Sequence, residues 1–373
     1  LASTLSVLLI AFVARRLFGM RVAIIAGLLY ATFPMQLRLA GMLLPEALAG
    51  FYVLVGVLLY LFARSKARSW AWLGAGVLMG IAYVAKESAL FVGGAFLLHA
   101  VWERQWRGAA LLALGVASIV GVEHAYYYAV RGDLLFRPHS TQLYTVNPDA
   151  PFFSIPEDTN PPRLMYRLLW KYPEAMLVPD LRFGLHSLFA VVLAAAALLL
   201  RPRRKYVMLL LWAIVPFLYL NFGTWNFNRY APLPTDPRYI ELVYPPLLIM
   251  AAVVLSRAFE RSAAVAKGAL AALLVVMVSG VVTGILARDR TADATAMNVL
   301  RGIVRAAQVL PPQSIYTEDE EWRRALAVLD PTRLSPTREG AAIILVRHEL
   351  GFPTVESREM VTEPYHRGGE AER

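Results

Sequence analysis

The sequence predicts an all-α, polytopic integral membrane protein of about ten membrane segments, followed by a small C-terminal α/β unit outside the membrane. Three observations carry this. Hydrophobic residues make up 58% of the 373 and charged residues 17%, and the apolar ones fall in blocks rather than in the amphipathic stripes of a soluble helix. Short turns rich in Lys and Arg, such as Arg64-Ser65-Lys66-Ala67-Arg68 and Arg201-Pro202-Arg203-Arg204-Lys205, alternate with turns that hold few, and short basic turns stay cytoplasmic. From Arg288 onward the pattern stops: this tail has 12 Lys and Arg against 14 Asp and Glu, and the rest has 25 against 13. The net charge of +10 thus belongs to the membrane part, where it sets topology and does not signal nucleic acid. There are no cysteines, which excludes disulfides and thiolate metal sites.

In chain order, residues 1–13 read as the tail of a spanning helix, with no charged leader or cleavage motif of a signal peptide. Arg15, Arg16 and Arg21 close it, and residues 22–33 return across the bilayer to Pro34. Residues 35–44 are expected to form a short outer connection holding Arg38. Residues 47–62 go in, 70–85 come out, and 89–102 go in again to the turn Glu103-Arg104-Gln105-Trp106-Arg107. Residues 108–130 cross outward. Several of these blocks are shorter than the roughly 20 residues a span requires, so flanking residues must complete them. Residues 131–183 contain many prolines and no uniform apolar run, and loops of this length are usually functional or partly structured. Within that loop, residues 162–176 mix Leu164, Met165, Leu168 and Leu169 with Arg163, Arg167 and Lys171, which suits a helix in the headgroup region or one packed on its own loop.

Residues 184–200 go in, 206–220 come out, and 221–240 form a second outer loop. Residues 241–255 go in to Arg257, Arg261 and Lys267, and 269–287 come out. The alternation is self-consistent and puts both Leu1 and the C-terminal tail outside the cytoplasmic membrane. In the tail, residues 297–310 have helical spacing, 314–317 and 341–346 read as short strands with a helix at 321–329 between them, and the stretch from Glu356 is too polar to order itself.

No phosphate-cradling glycine loop, paired-His metal motif or serine elbow is found. What remains is polar residues gathered at the outer face. Glu46 opens one helix there and Lys86 ends the next, so an acid and a base meet at one membrane surface. Glu123, His124 and Tyr126-Tyr127-Tyr128 lie near the outer end of another, Asp133 and Arg137 begin the long loop, and Asn226, Asn228, Arg229, Asp236, Arg238 and Tyr239 come from the second loop with Glu241 just after it. Charges within membrane segments are costly and point to function by default. Cations clustered with carboxylates at one leaflet suit a lipid phosphate headgroup, because Arg and Lys give charge-assisted bonds to phosphate oxygens.

The run from Phe33-Pro34 to Leu44-Pro45-Glu46-Ala47, then Gly80-Ile81-Ala82-Tyr83-Val84-Ala85-Lys86, Gly132-Asp133-Leu134-Leu135-Phe136-Arg137, Asp236-Pro237-Arg238-Tyr239 and Tyr244-Pro245-Pro246 resembles the family 39 type of GT-C glycosyltransferases. That family includes protein O-mannosyltransferases and the aminoarabinose transferases that modify lipid A, and the resemblance covers residues 1–255. It implies inverting transfer of a hexosyl or pentosyl group from a polyprenyl-phosphate carrier to a lipid, glycan or protein acceptor at the outer face of the membrane. By that resemblance Lys86 binds the carrier phosphate with Arg238 assisting, and Glu46 supports catalysis; from their place at the outer face, Tyr239, Arg229, Asp133, Arg137 and His124 are expected to bind the substrate with them. The lipid-linked sugar is the donor substrate, no cofactor is named, and a divalent-metal requirement is left open.

Two departures from the family are visible. Members often carry an Arg five residues before the acid, where this chain has Gly41. The family's general base is an Asp in a large first outer loop, and with Leu1 expected outside, that base is expected upstream of Leu1. Each residue also has a plainer reading. Lys86 can snorkel to the interface, Glu46 can favour its helix N-terminus, Arg238 can anchor beside Tyr239, Arg229 can pair with Asp236, His124 and the tyrosines can form an aromatic belt, and Asp133 can shape a turn. A transporter or flippase for a lipid-linked solute, or a non-catalytic scaffold, is the alternative. Transporters place charges near the midplane, whereas here they gather at one face.

Overall fold

The computed structural model of the chain describes residues 2–40, 45–66, 68–137, 139, 184–199, 204–223, 237–289, 315–317, 343–347 and 353–357. The chain divides into two compact units, Leu1–Arg288 and Asp289–Arg373.

The first unit is helical. Helix α1 (Ala2–Phe18) and α2 (Met20–Ala31) form a hairpin turned at Gly19, whose φ of 102° is available to glycine without a Cβ clash. Thr32 ends α2 by returning its hydroxyl to the Leu28 carbonyl at 2.8 Å. The expected short outer connection is partly helical: α3 spans Pro34–Ala40, because a proline at the first helical position has its φ already set and loses no intrahelical hydrogen bond. Then come α4 (Pro45–Lys66), α5 (Ser69–Ala85), α6 (Ala89–Trp102) and α7 (Trp106–Arg131). Gly132, at φ 69°, caps α7. The series continues with α8 (Gly184–Leu199), α9 (Arg204–Phe222), a 3₁₀ turn (Pro237–Val243), α10 (Tyr244–Ala258) and α11 (Ala263–Asp289). The helix expected at 162–176 lies outside the described residues.

Among the described residues, five helices are long and apolar enough to cross a membrane: Pro45–Lys66, Trp106–Arg131, Lys205–Phe222, Ile240–Ala258 and Ala263–Ile285. Helices α2, α5, α6 and α8 are apolar but shorter. Burial separates centre from rim, since 83% of the apolar window of Ile240–Ala258 is buried and only 22% of that of Ala263–Ile285. A helix apolar all round and buried all round is a core helix, and α10 packs on α2, α8 and α9. Helix α11 instead presents Leu274, Val278, Val282 and Ile285 outward, as a lipid-facing helix does.

Between apolar helices in lipid, close approach through small residues replaces the hydrophobic effect. The α5–α7 seam is built this way. A Cβ added at Gly76 would stand 2.1 Å from the Leu112 carbonyl oxygen, and one at Gly115 would stand 2.4 Å from that of Leu73. The indole of Trp72 covers Gly108 in the same seam. This seam fixes the course of α5 and so the position of its last residue, Ala85, and of Lys86.

In the second unit, β1 (Ile315–Thr317), β2 (Ile343–Arg347) and β3 (Pro353–Ser357) form a sheet in that order. Strand β1 pairs parallel to β2 with Ile315 opposite Ile343, and β2 pairs antiparallel to β3 with Ile343 opposite Ser357. The first two strands match the sequence reading to within two residues. The third is an addition to it: Glu356 and Ser357, where the disordered stretch is expected to begin, end a strand, and the rest of that stretch lies outside the described residues. A five-residue strand opened by proline, with little apolar alternation, is a weak sequence signal. The helices expected at 297–310 and 321–329 lie outside the described residues.

Candidate functional site

Helix α4 begins at Pro45, and Glu46 in its first turn is favoured by the unpaired N–H groups there. Helix α5 ends where Lys86 turns extended, at φ −153° and ψ 122°, its N–H still donating to the Ala82 carbonyl. This break swings the lysine side chain toward α4, and Lys86 Nζ donates to Glu46 Oε1. The two side chains are 10% and 4% exposed. A buried ion pair gives up two hydration shells, and its attraction often does no more than offset that loss.

A third ionisable side chain joins them from the far end of the unit's sequence. Glu241, in the 3₁₀ turn before α10, is 2% exposed. Its Oε1 lies 3.6 Å from where a Cβ would stand on Gly50, one helical turn beyond Glu46 on the same face of α4. It is within electrostatic range of Lys86, Glu46 and Tyr30. Neither carboxyl oxygen of Glu241 has a hydrogen-bond partner among the described residues, a costly state for a buried polar group.

Beside this group sits a second knot, centred on Arg137. Its Nε donates to Glu87 Oε1 at 2.8 Å, its Nη1 to Glu123 Oε1 at 2.6 Å and its Nη2 to the Val84 carbonyl at 3.2 Å, while the guanidinium lies 4.9 Å from the Tyr83 ring centre. Burial disfavours the Arg137 charge, but Glu87 and Glu123 more than reverse this and hold it cationic. Arg137 thus ties the segment after α7 to the end of α5. Within that segment the Leu135 N–H donates to Asp133 Oδ1 at 2.9 Å, and His139 Nδ1 lies 2.7 Å from Asp133 Oδ2. The His139 hydrogen bond, with the Leu135 N–H, keeps the Asp133 carboxyl below its ordinary range.

Of the residues singled out in the sequence, Glu46 and Lys86 touch, and Arg137 meets Glu123 and Glu87. Asp133 accepts from the Leu135 N–H within its own turn. His124 lies on α7 one residue beyond Glu123, its Nδ1 without a hydrogen-bond partner among the described residues. Arg238 and Tyr239 fall in the same 3₁₀ turn as Glu241, and Arg229 lies outside the described residues. Among the described residues no three His, Asp or Glu gather as a metal site. Glu241 and Glu87 were not singled out as site residues, although the signal for Glu241 was present: it is a lone acid at the head of an apolar run.

Residues 1–126 match the family model of dolichyl-phosphate-mannose-protein mannosyltransferases. Among solved structures, ArnT from Cupriavidus metallidurans bound to undecaprenyl phosphate is 18% identical, with a TM-score of 0.53, covering 93% of this chain and 77% of that one. The same protein in the apo state is 19% identical, with a TM-score of 0.50, covering 92% and 78%. The oligosaccharyltransferase of Archaeoglobus fulgidus with zinc and sulfate follows at 15% identity and a TM-score of 0.49, covering 76% of this chain and 40% of that one. No curated protein matches. The fold is that of the GT-C membrane glycosyltransferases, in agreement with the resemblance read from the sequence.

Proposed function

We propose that the chain transfers a sugar from a polyprenyl-phosphate carrier to a lipid, glycan or protein acceptor at the outer face of the cytoplasmic membrane, with inversion at the anomeric carbon. The observation that carries this reading is the buried Glu46–Lys86 pair, inside the segment that matches the mannosyltransferase model, with the surplus buried acid Glu241 against the same face of α4. It pairs a desolvated cation with a counter-ion that an arriving phosphate can replace.

In this reading Lys86 leaves Glu46 for the carrier phosphate, and Arg238 approaches from the 3₁₀ turn. The acceptor oxygen attacks the anomeric carbon from the face opposite the phosphate. The bond between that carbon and the phosphate oxygen breaks, its electron pair stays on the phosphate, and the acceptor proton passes to a general base. Preorganised cations stabilise the charge that grows on the leaving phosphate, and stabilisation of this kind is usually the largest single contribution to the rate. Glu46 holds Lys86 in place before the donor arrives. The basic turns at 64–68, 103–107 and 201–205 support an orientation with Glu46 and Lys86 outside, all ten apolar blocks spanning and the C-terminal unit extracytoplasmic.

The test is the cell-surface sugar modification in strains that carry Lys86→Ala or Arg238→Ala in place of the native residue. Each substitution abolishes the modification while the protein continues to reach the membrane. Modification that persists in both strains would overturn the assignment of the site.

A further inference from the structure

Glu46, Lys86 and Glu241 form a buried group of two acids and one base. Glu46 already occupies Lys86, whereas Glu241 is 2% exposed and its two carboxyl oxygens have no hydrogen-bond partner among the described residues. Its neighbours of ionisable type are Glu46 on α4, Lys86 at the end of α5 and Tyr30 on α2. Glycine at position 50 leaves room for the Glu241 carboxyl against α4, on the face that bears Glu46. With both acids ionised the three groups sum to one negative charge, and a phosphate diester would add another among side chains that are almost wholly buried. Like charges brought together without water repel strongly, and a buried carboxyl answers by keeping its proton.

We propose that Glu241 must carry a proton whenever an anionic headgroup sits on Lys86, so that ionisation of Glu241 and binding of the carrier exclude each other. This deepens the proposed function and rests on it. Glu241 acts here as a positioning residue, setting the charge of the pocket through Lys86. The same proton lies near the phosphate that leaves the sugar with one more negative charge than it brought. Two events at one headgroup, docking and departure, thereby become sensitive to a single buried acid.

The sign follows from linkage. A form that binds only when protonated loses affinity as pH rises past the point at which the free protein ionises, by about tenfold per pH unit. The experiment uses the full chain in nanodiscs and a methyl ester of undecaprenyl phosphate, a diester whose single charge does not titrate between about pH 6 and 9.5. In the native protein the dissociation constant is flat at the acid end and climbs about tenfold per unit at the alkaline end. In Glu241→Gln, which keeps the shape and stays neutral, that climb is absent and alkaline affinity exceeds that of the native protein. Calorimetry of the native protein in two buffers of different ionisation enthalpy gives close to one proton taken up per headgroup on the alkaline limb. A flat native profile, zero proton uptake, or a limb that survives in Glu241→Gln overturns the proposal. Proton uptake is read on the native protein, so it decides the matter even where the variant fails to fold. If the diester does not bind the native protein at any pH, the proposed function itself falls.

Discussion

Helix α4 carries a buried ionic cluster at each end, and the two differ. At its C-terminal end, Tyr60 lies 2.6 Å from His99 Nδ1 and Arg64 donates to Glu103 Oε1 at 2.5 Å, with the rings of Trp72 and Phe96 packed on Tyr60. Acid and base match one to one there, and the hydroxyl meets the imidazole. At its N-terminal end, Glu46 and Lys86 pair while Glu241 stands over the same face with no hydrogen-bond partner among the described residues. The ends lie roughly 27 Å apart along the helix. An ion pair alone does not mark a site, since both ends have one. The surplus acid sets the two ends apart, because a buried carboxyl with no hydrogen-bond partner is costly to a fold.

The largest effect expected from this contrast is on activity. Lys86→Ala lowers transfer at least about a hundredfold, as loss of a preorganised charge at a leaving group does, and also lowers stability by about 3 kcal/mol, because Glu46 is left buried without its partner. Arg64→Ala likewise lowers stability, by about 2 kcal/mol, because Glu103 is left buried without its partner, but keeps transfer within about twofold. Assays of both variants in one membrane preparation check the pair. Equal losses of activity would erase the distinction between the two ends.

The next effect acts on the frame that holds the outer end. Gly76→Leu must open the α5–α7 seam, where even a Cβ would meet the Leu112 carbonyl at 2.1 Å, and overpacking of this kind costs about 3 kcal/mol. Because α5 carries Lys86 at its end and α7 carries Glu123, the expected loss is of both stability and transfer. Gly94→Leu on α6, where nothing lies within 4 Å of the added Cβ, is the control and leaves both unchanged. Thermal unfolding in detergent separates the two variants.

This seam also shows how far the sequence could be read. Apolar blocks and basic turns located the helices, since length and charge placement follow from the bilayer alone. The meeting of Glu46 with Lys86 was legible because the turn at 64–68 puts both on one side. Glu241 was not, for it lies nearly two hundred residues from Glu46 in the chain, and only packing of α10 at the centre brings it there. Arg137 is expected from the sequence to bind substrate, and its guanidinium meets Glu87 and Glu123 in the structure. Sequence spacing cannot say which carboxylates an arginine will find. Strand β3 was hidden for a local reason, the proline at its start.

The smallest effect is at the rim, and it sharpens the comparison within one short segment. Arg137 is half-buried and clamped by two acids, whereas Asp133, four residues earlier, is more open and held by His139 and the Leu135 N–H. A carboxyl whose value in the folded chain is depressed contributes above its unfolded value of about 3.9, and that contribution is lost as pH falls through the lower, folded one. The Leu135 amide signal therefore shifts with pH at a midpoint below that of an unstructured aspartate, and Asp133→Asn removes the shift. Transfer measured at neutral pH does not change in that variant, because the Arg137 clamp holds the segment without Asp133. A midpoint at or above that of free aspartate, or a loss of transfer in Asp133→Asn, would move Asp133 from the turn into the site and extend the functional end of the molecule beyond Arg137.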